Sequence, residues 1–326
     1  MRAYDLMLND RVDWVGIGSD NRERAATAAL ASGASMSGTV DHVLSADIDA
    51  VVIAGSSGDH ATQIIRAIDY RVPILCEKPI ATSFSDAVRA SKAAQDARVE
   101  LMVGFQRRFD VAFAATRDRI RSGDLGTLYL LRLLSHDRVP PSPAFEKGSG
   151  GIVQDLMVHD FDLVRWLTDD EISSVYAIGS NRTDLSYIRE AGDFDVVGVV
   201  LEMNSGLAVQ LSAARHSPGG HDVRAEIFGS KETLGVGFER ERSALSDIVD
   251  GSTIVRAPDP FEDFMQRFRP AFALQTRAFV ETVAGERRNP SPAADGIAAQ
   301  QAAAATLASI AENRAVAMAE MAARLN

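Results

Sequence analysis

An α/β fold in the first third of the chain and an α+β fold in the remainder are what the sequence predicts, and three observations carry that division. From Val12 to Phe105 short β-rich runs alternate with amphipathic helical stretches, the rhythm of βαβ units with parallel strands. From Thr127 to Phe238 the β-rich runs follow one another closely, separated by turn signals such as NSG, SPGG and GSKE, as in a large, mostly antiparallel open sheet. The chain has 326 residues, and chains beyond roughly 250–300 residues ordinarily divide into domains. The expected division is 1–106 and 107–326.

In order, the first domain is expected to hold strands at Val12–Gly18, Ile48–Ala54, Val72–Cys76 and Val99–Phe105. Helices are expected between them at Arg22–Ala31, His60–Ile68 and Ser83–Ala97, the last opened by Ser83 with Asp86 three residues on. Right-handed crossovers then put any ligand at the carboxyl ends of the strands. A helix at Phe113–Ser122 marks the change of rhythm. A strand at Thr127–Arg138 leads through VPPSPAFEKGSGG into a helix at Val153–Leu167. Strands follow at Val175–Ser180, Val196–Met203, Leu207–Ala214, Val223–Phe228 and Leu234–Phe238. Two helices, Phe261–Ala284 and the alanine-rich Ala293–Leu325, close the chain. They are expected to pack back on the first domain.

Composition narrows the function. No apolar run approaches the ~20 residues that span a bilayer, and MRAYDLMLNDRVDW lacks the basic and apolar regions of a secretory signal. A soluble, cytoplasmic protein is expected. The net charge of −11 opposes binding to a polyanion, which needs a basic face. The expected partner is a small molecule, with no nucleic acid and no membrane. Cys76 is the single cysteine, which excludes an internal disulfide and a cysteine-rich zinc site, and its apolar neighbours make it a core residue. Of 34 basic residues only Lys78, Lys92, Lys147 and Lys231 are lysines, so each lysine raises the question of a role that guanidinium cannot fill.

Two constellations carry chemistry. Glu77-Lys78-Pro79 directly follows the strand PILC, where a parallel sheet builds its ligand site, and an ammonium there can hold a hydroxyl oxygen as it becomes a carbonyl. Standing alone, the tripeptide would more often be a solvated lysine at a strand end. In GGIVQDLMVHDFDLVRWL, Asp155 and His159 stand four residues apart, on one face of a helix. A carboxylate beside an imidazole orients the ring and makes it a competent base near neutral pH, although such pairs also occur as satisfied core or surface groups. A metal site from Asp155, His159, Asp160 and Asp162 is disfavoured, because the carboxylates fall on several helical faces and no second histidine has ligand spacing. No metal is expected.

The segments IDAVVIA, LCEKPIATS, VGFQRRFD, GGIVQDLMVHDFDLVRWL and EIFGSKE, in this order, resemble the Gfo/Idh/MocA oxidoreductases. The resemblance runs from about Asp10 to Phe238, and GFQRRFD, SHDRVPPSP, AIGSNRTDL and EAGDFD are similar to its myo-inositol 2-dehydrogenase branch. It implies a Rossmann domain followed by an α+β domain whose open sheet packs in homodimers or homotetramers. It implies an NAD(P)-dependent oxidoreductase passing hydride between a cyclic polyol or sugar carbinol and nicotinamide. Lys78, Asp155 and His159 match the family's catalytic lysine, aspartate and histidine. Arg108 and His136 match positions that face the polyol; a structural ion pair for the first and a core histidine for the second are the alternatives. The resemblance also implies a cis peptide at Pro79.

For the cofactor, Asp20 lies where a carboxylate holds the ribose hydroxyls, favouring NAD. In a second register Ser19 takes that position and Arg22 or Arg24 meets the 2′-phosphate of NADP. His60, Glu77, Lys78 and Pro79 are expected to border the cofactor. The opening departs from the family pattern, because no strand with G-x-G-x-x-G precedes Val12 and RAYDLMLND resembles the end of the family's first helix. Gly16-Ile17-Gly18 lacks the full spacing and is a turn rather than the phosphate loop. The expectation is a misplaced start or a shortened chain, the alternative a degenerate member that binds cofactor weakly. Rival functions are a non-catalytic sugar- or cofactor-sensing regulator and an NAD-dependent glycoside-cleaving enzyme.

Overall fold

The structure, a computed structural model, describes residues 1–249 and 251–325. The chain divides into two units: Met1–Ala81, Asp86–Gln106 and Pro270–Gly296 make the first, and Thr82–Ser85, Arg107–Arg269 and Ile297–Asn326 the second.

In the first unit β1 (Gly16–Gly18) pairs in parallel with β2 (Met36–Gly38), and β3 (Val51–Ile53), β4 (Ile74–Cys76) and β5 (Leu101–Val103) form a separate three-stranded parallel sheet. Helices Arg22–Ser32, His60–Ile68 and Phe84–Asp96 follow β1, β3 and β4. Every residue of β4 and β5 is buried, as a parallel sheet covered on both faces requires. The one sheet expected is thus two, and no described strand joins β1 to β3. Their residues are correspondingly half-exposed at Gly16, Ile17, Val51 and Val52. Cys76 is buried, which pushes its thiol well above the usual range. The segment from Pro270 onward lies along β5: Gln275 donates to the carbonyl of Val103 (3.2 Å), and the Val103 amide donates to Ser291 (2.8 Å).

The second unit is built on a seven-stranded sheet. Its strands are β6 (Leu128–His136), β7 (Ile172–Ser180), β8 (Val196–Met203), β9 (Ala208–Ala214), β10 (Asp222–Gly229), β11 (Thr233–Val236) and, after a small hairpin of β12 (Asp247–Val249) and β13 (Thr253–Val255), β14 (Val316–Ala317). Their order is β11-β10-β6-β9-β8-β7-β14, antiparallel throughout except for the parallel pair β6–β9. Burial alternates strictly along β8, the period-two pattern of a sheet packed on one face. The helix Val158–Thr168 packs against β6 and the helix Val111–Arg121, and most of its residues are buried.

The long helix expected at Ala293–Leu325 is interrupted. It ends at Glu312, Asn313 turns left-handed (φ 51°), β14 pairs with β7, and a new helix runs Met318–Leu325. A left-handed residue just past the last turn stops a helix. Ser309 holds the break, accepting from the Ala177 amide and donating to the carbonyl of Arg314. Among the described residues no helix is long and apolar enough to cross a membrane.

Candidate active site

In the first unit the Glu77-Lys78-Pro79 turn leaves β4 with a cis Lys78–Pro79 peptide. Three features fix it. The guanidinium of Arg2, itself buried, donates to Glu77 (2.8 Å), to the carbonyl of Phe272 (3.0 Å), to Thr276 (3.1 Å) and to Gln275. His60, 1% exposed, donates from Nδ1 to the carbonyl of Pro79 (2.7 Å) and sets Nε2 3.4 Å from the carbonyl of Gly55. Gly104, opposite the turn, leaves room that a Cβ would take from Glu77 Oε2 at 2.5 Å. Glu77 and His60, both expected at the cofactor, also bracket the turn that carries the half-buried Lys78.

Residues at the carboxyl ends of β1 and β3 fit the groups of a dinucleotide. Asp20 is exposed and Ser19 half-buried just past β1, and a carboxylate at such a position accepts hydrogen bonds from ribose hydroxyls. Asn21 caps the following helix, accepting from the Arg24 amide at 3.0 Å. After β3, the loop Gly55–Gly58 stands in the open, with no heavy atom within 4 Å of either glycine's Cβ position, so its backbone is approachable. Gly16-Ile17-Gly18 is β1 itself rather than the turn after it.

In the second unit Asp155 lies in a π-helical turn, Val153–Met157, that runs straight into the Val158–Thr168 helix bearing His159. The regular α-helical face expected for the pair is thus wound differently at Asp155, and π turns recur at functional sites. Two left-handed glycines, Gly150 (φ 84°) and Gly151 (φ 83°), lead in. Asp193 closes against them: its Oδ2 accepts from the Ile152 amide (2.8 Å), and a Cβ on Gly151 would stand 2.6 Å from its Oδ1.

His159 is 5% exposed, and its helix is pinned directly after it in sequence, at Asp160 and Asp162. Arg107 donates to Asp160 (2.5 Å) and Ser135 (2.9 Å), and Ser135 donates to Asp160 (2.8 Å). Burial raises the Asp160 carboxyl, with Arg107 opposing. Arg108 binds Asp162 through two hydrogen bonds, 2.9 and 2.5 Å, and both side chains are buried. Arg108 thus makes the ion pair that stood as the alternative to a substrate contact. Before His136 on β6, Ser135 meets Asp160 of the helix, and the next residue on a strand points to the opposite face. There His136 pairs with Ser212 (3.0 Å), and burial, its main influence, lowers its pKa.

Asp155 has a partner that no motif announced. Arg215, 1% exposed at the end of β9, donates from Nη1 to Asp155 Oδ2 at 2.8 Å. It lies 3.6 Å from both Asp137 and Glu146. Burial works against its charge, yet Asp155 first and Glu146 and Asp137 after it hold its pKa above the ordinary value. Glu146 is pushed up to about 7, by burial first and then by Asp193, against the pull of Arg215.

Comparison with known proteins places this geometry. Residues 2–105 match the family model of the oxidoreductase family with NAD-binding Rossmann fold, and residues 113–235 match the GFO/IDH/MocA C-terminal domain. The inositol 2-dehydrogenase of Rhizobium meliloti strain 1021 is 36% identical over 283 residues, covering 86% of this chain and 84% of its own length. The crystal structure of a myo-inositol dehydrogenase from Corynebacterium glutamicum superposes with a TM-score of 0.86 at 32% identity, covering 97% of this chain and 94% of that one. That of scyllo-inositol dehydrogenase from Lactobacillus casei, with bound NAD(H) and scyllo-inositol, gives 0.85 at 26% identity, covering 98% and 96%. The chain belongs to the Gfo/Idh/MocA oxidoreductase family, with an NAD-binding Rossmann-type domain followed by a domain built on a large, mostly antiparallel sheet.

Proposed function

We propose that the chain is an NAD-dependent dehydrogenase of a cyclic polyol of the inositol type, with Lys78, Asp155 and His159 as its catalytic residues. The observation that carries the reading is a buried histidine four residues after a carboxylate held by Arg215, on a helix fixed by two buried ion pairs. His159 takes the hydroxyl proton of the reacting carbinol. Lys78, compact and multiply donating, suits a hydroxyl oxygen whose charge changes as it becomes a carbonyl. Asp155 orients the substrate or the histidine, which keeps the base near its working geometry. When bound, NAD supplies the acceptor for the carbinol hydride, and Asp20 would hold its ribose. Arg108 and His136 support the frame rather than the substrate.

The exposed side of the seven-stranded sheet supports a further part of the reading, that copies of the chain associate there as a homodimer or homotetramer. The protein works in the cytoplasm.

The test is reduction of NAD by myo- and scyllo-inositol, followed through NADH absorbance, in the wild type and in His159→Ala. Replacing a general base costs about 10²–10⁴-fold in turnover, and NADH affinity stays within about twofold, because the base acts on the substrate hydroxyl. A variant that turns over like wild type removes His159 from the mechanism. A wild type that binds NADH and oxidises no polyol is a sensing regulator instead.

A further inference from the structure

One guanidinium faces three carboxylates in the second unit. Arg215 reaches Asp155 at 2.8 Å and stands 3.6 Å from Asp137 and from Glu146. The side chains of Arg215 and Glu146 are each 1% exposed. We propose that Arg215 is a positioning residue for the reaction, holding the Asp155 carboxylate in place for His159, and that Glu146 is the acid that sets how far Arg215 is committed to Asp155. The inference rests on the dehydrogenase reading above and deepens it.

The charge count supplies the reason. With all three carboxylates ionised, two negative charges are uncompensated in a site largely withdrawn from water, and such charge is costly enough that a group protonates instead. Glu146 is the group that protonates, with a pKa pushed up to about 7. The groups that face it come from four elements: Arg215 beyond β9, Asp155 in the π turn, Asp193 after the helix Ser186–Glu190, and Tyr187 on that helix. When Glu146 carries its proton, the guanidinium is left to Asp155 and Asp137. When Glu146 is ionised, it draws Nη2 and competes for the same cation. Both of its main partners bear on the catalytic segment, Arg215 through Asp155 and Asp193 through the Ile152 amide.

The spacing of these residues gave no forewarning, because Arg215 and Asp155 are 60 positions apart. The geometry also separates positioning from direct catalysis. Arg215 touches the carboxylate, and its effect on the carbinol passes through Asp155.

The experiment measures kcat and KM for the polyol from about pH 5 to 9, a range wide enough to show both limbs of a bell. It uses the full-length wild type, Arg215→Lys, Arg215→Met and Glu146→Gln, with NADH affinity measured on each. In Arg215→Met, kcat is expected to fall about 100-fold, the scale of a misplaced catalytic group. NADH affinity is expected to stay within about twofold, and Arg215→Lys to recover part of the loss. The His159 base gives a limb of its own in every variant, and in Glu146→Gln the further inflection that Glu146 adds near neutral pH is expected to disappear. If Arg215→Met does not fold, Glu146→Gln decides, since amide and carboxyl have the same size. Polyol turnover in the wild type with the inflection intact in Glu146→Gln, or with wild-type kcat in Arg215→Met, overturns the inference alone. A wild type without polyol turnover overturns the dehydrogenase reading and this role with it.

Discussion

Glu146 shows how much a single proton can matter in a buried cluster. Its carboxyl has an ordinary value of 4.5 and is raised to about 7 in the folded chain. A raised acid contributes stability that is fully present below the unfolded value and is lost as pH rises through the folded one. Wild type should therefore lose stability relative to Glu146→Gln as pH climbs from about 5 to about 8, by on the order of 2 kcal/mol. Urea unfolding of both proteins at the two pH values measures it, and parallel changes in the two proteins would show that Glu146 titrates normally. The residues differ in how readable they were. Lys78, Asp155 and His159 stand inside contiguous motifs, so the sequence marks them. Arg215, Glu146 and Asp193 acquire their meaning only when β9, the helix Pro143–Ser149 and the loop after the helix Ser186–Glu190 are folded together, and no local spacing encodes that meeting. Arg108 and His136 were legible as polar residues of interest, but the direction of each side chain was not.

At the scale of elements, the π turn is the feature that sequence periodicity could not supply. GGIVQDLMVHDF has ordinary helical patterning, and an i, i+4 reading puts Asp155 and His159 on one α-helical face. The chain instead enters through Gly150 and Gly151, both left-handed, and winds wide over Val153–Met157. Gly151 is required twice over, by its φ of 83° and by the 2.6 Å that a Cβ would leave to Asp193. In Gly151→Ala the strained backbone costs about 1–3 kcal/mol, and relief of the contact pushes Asp193 off the Ile152 amide and the π turn out of place. Thermal unfolding and kcat should both fall, and a variant with wild-type values of each would mean that the turn tolerates the displacement. The strands β6 to β11 were readable because period-two patterning and turn residues agree. By contrast β2 is Met-Ser-Gly and β14 only two residues long, too short and too little β-rich to carry a pattern. They form because a neighbouring strand offers them hydrogen bonds.

At the scale of the whole molecule, the question is what the open side of the seven-stranded sheet does. Tyr176 and Ile178 on β7 and Val196 and Val200 on β8 are exposed, and the register sets Tyr176 beside Val200 and Ser180 beside Val196. An apolar group of this kind on one sheet face suits burial against another copy, where a stable interface removes about 1,200–2,000 Å² from water. The net charge of −11 on each chain opposes that approach, and salt screens the repulsion within a Debye length of about 10 Å at 0.1 M. Two effects of opposite sign thus meet at the same surface. If apolar burial drives the association, raising salt strengthens it, and placing like charges on the patch with Ile178→Glu and Val200→Glu abolishes it. Light scattering on the eluting protein should then show an oligomer for wild type that grows more complete with salt, and a monomer of unchanged helix and strand content for the double variant. An oligomer that survives both substitutions would move the interface off this face, and one that dissolves in salt would make it electrostatic, an arrangement that two surfaces of the same net sign could reach only through locally complementary charge pairs.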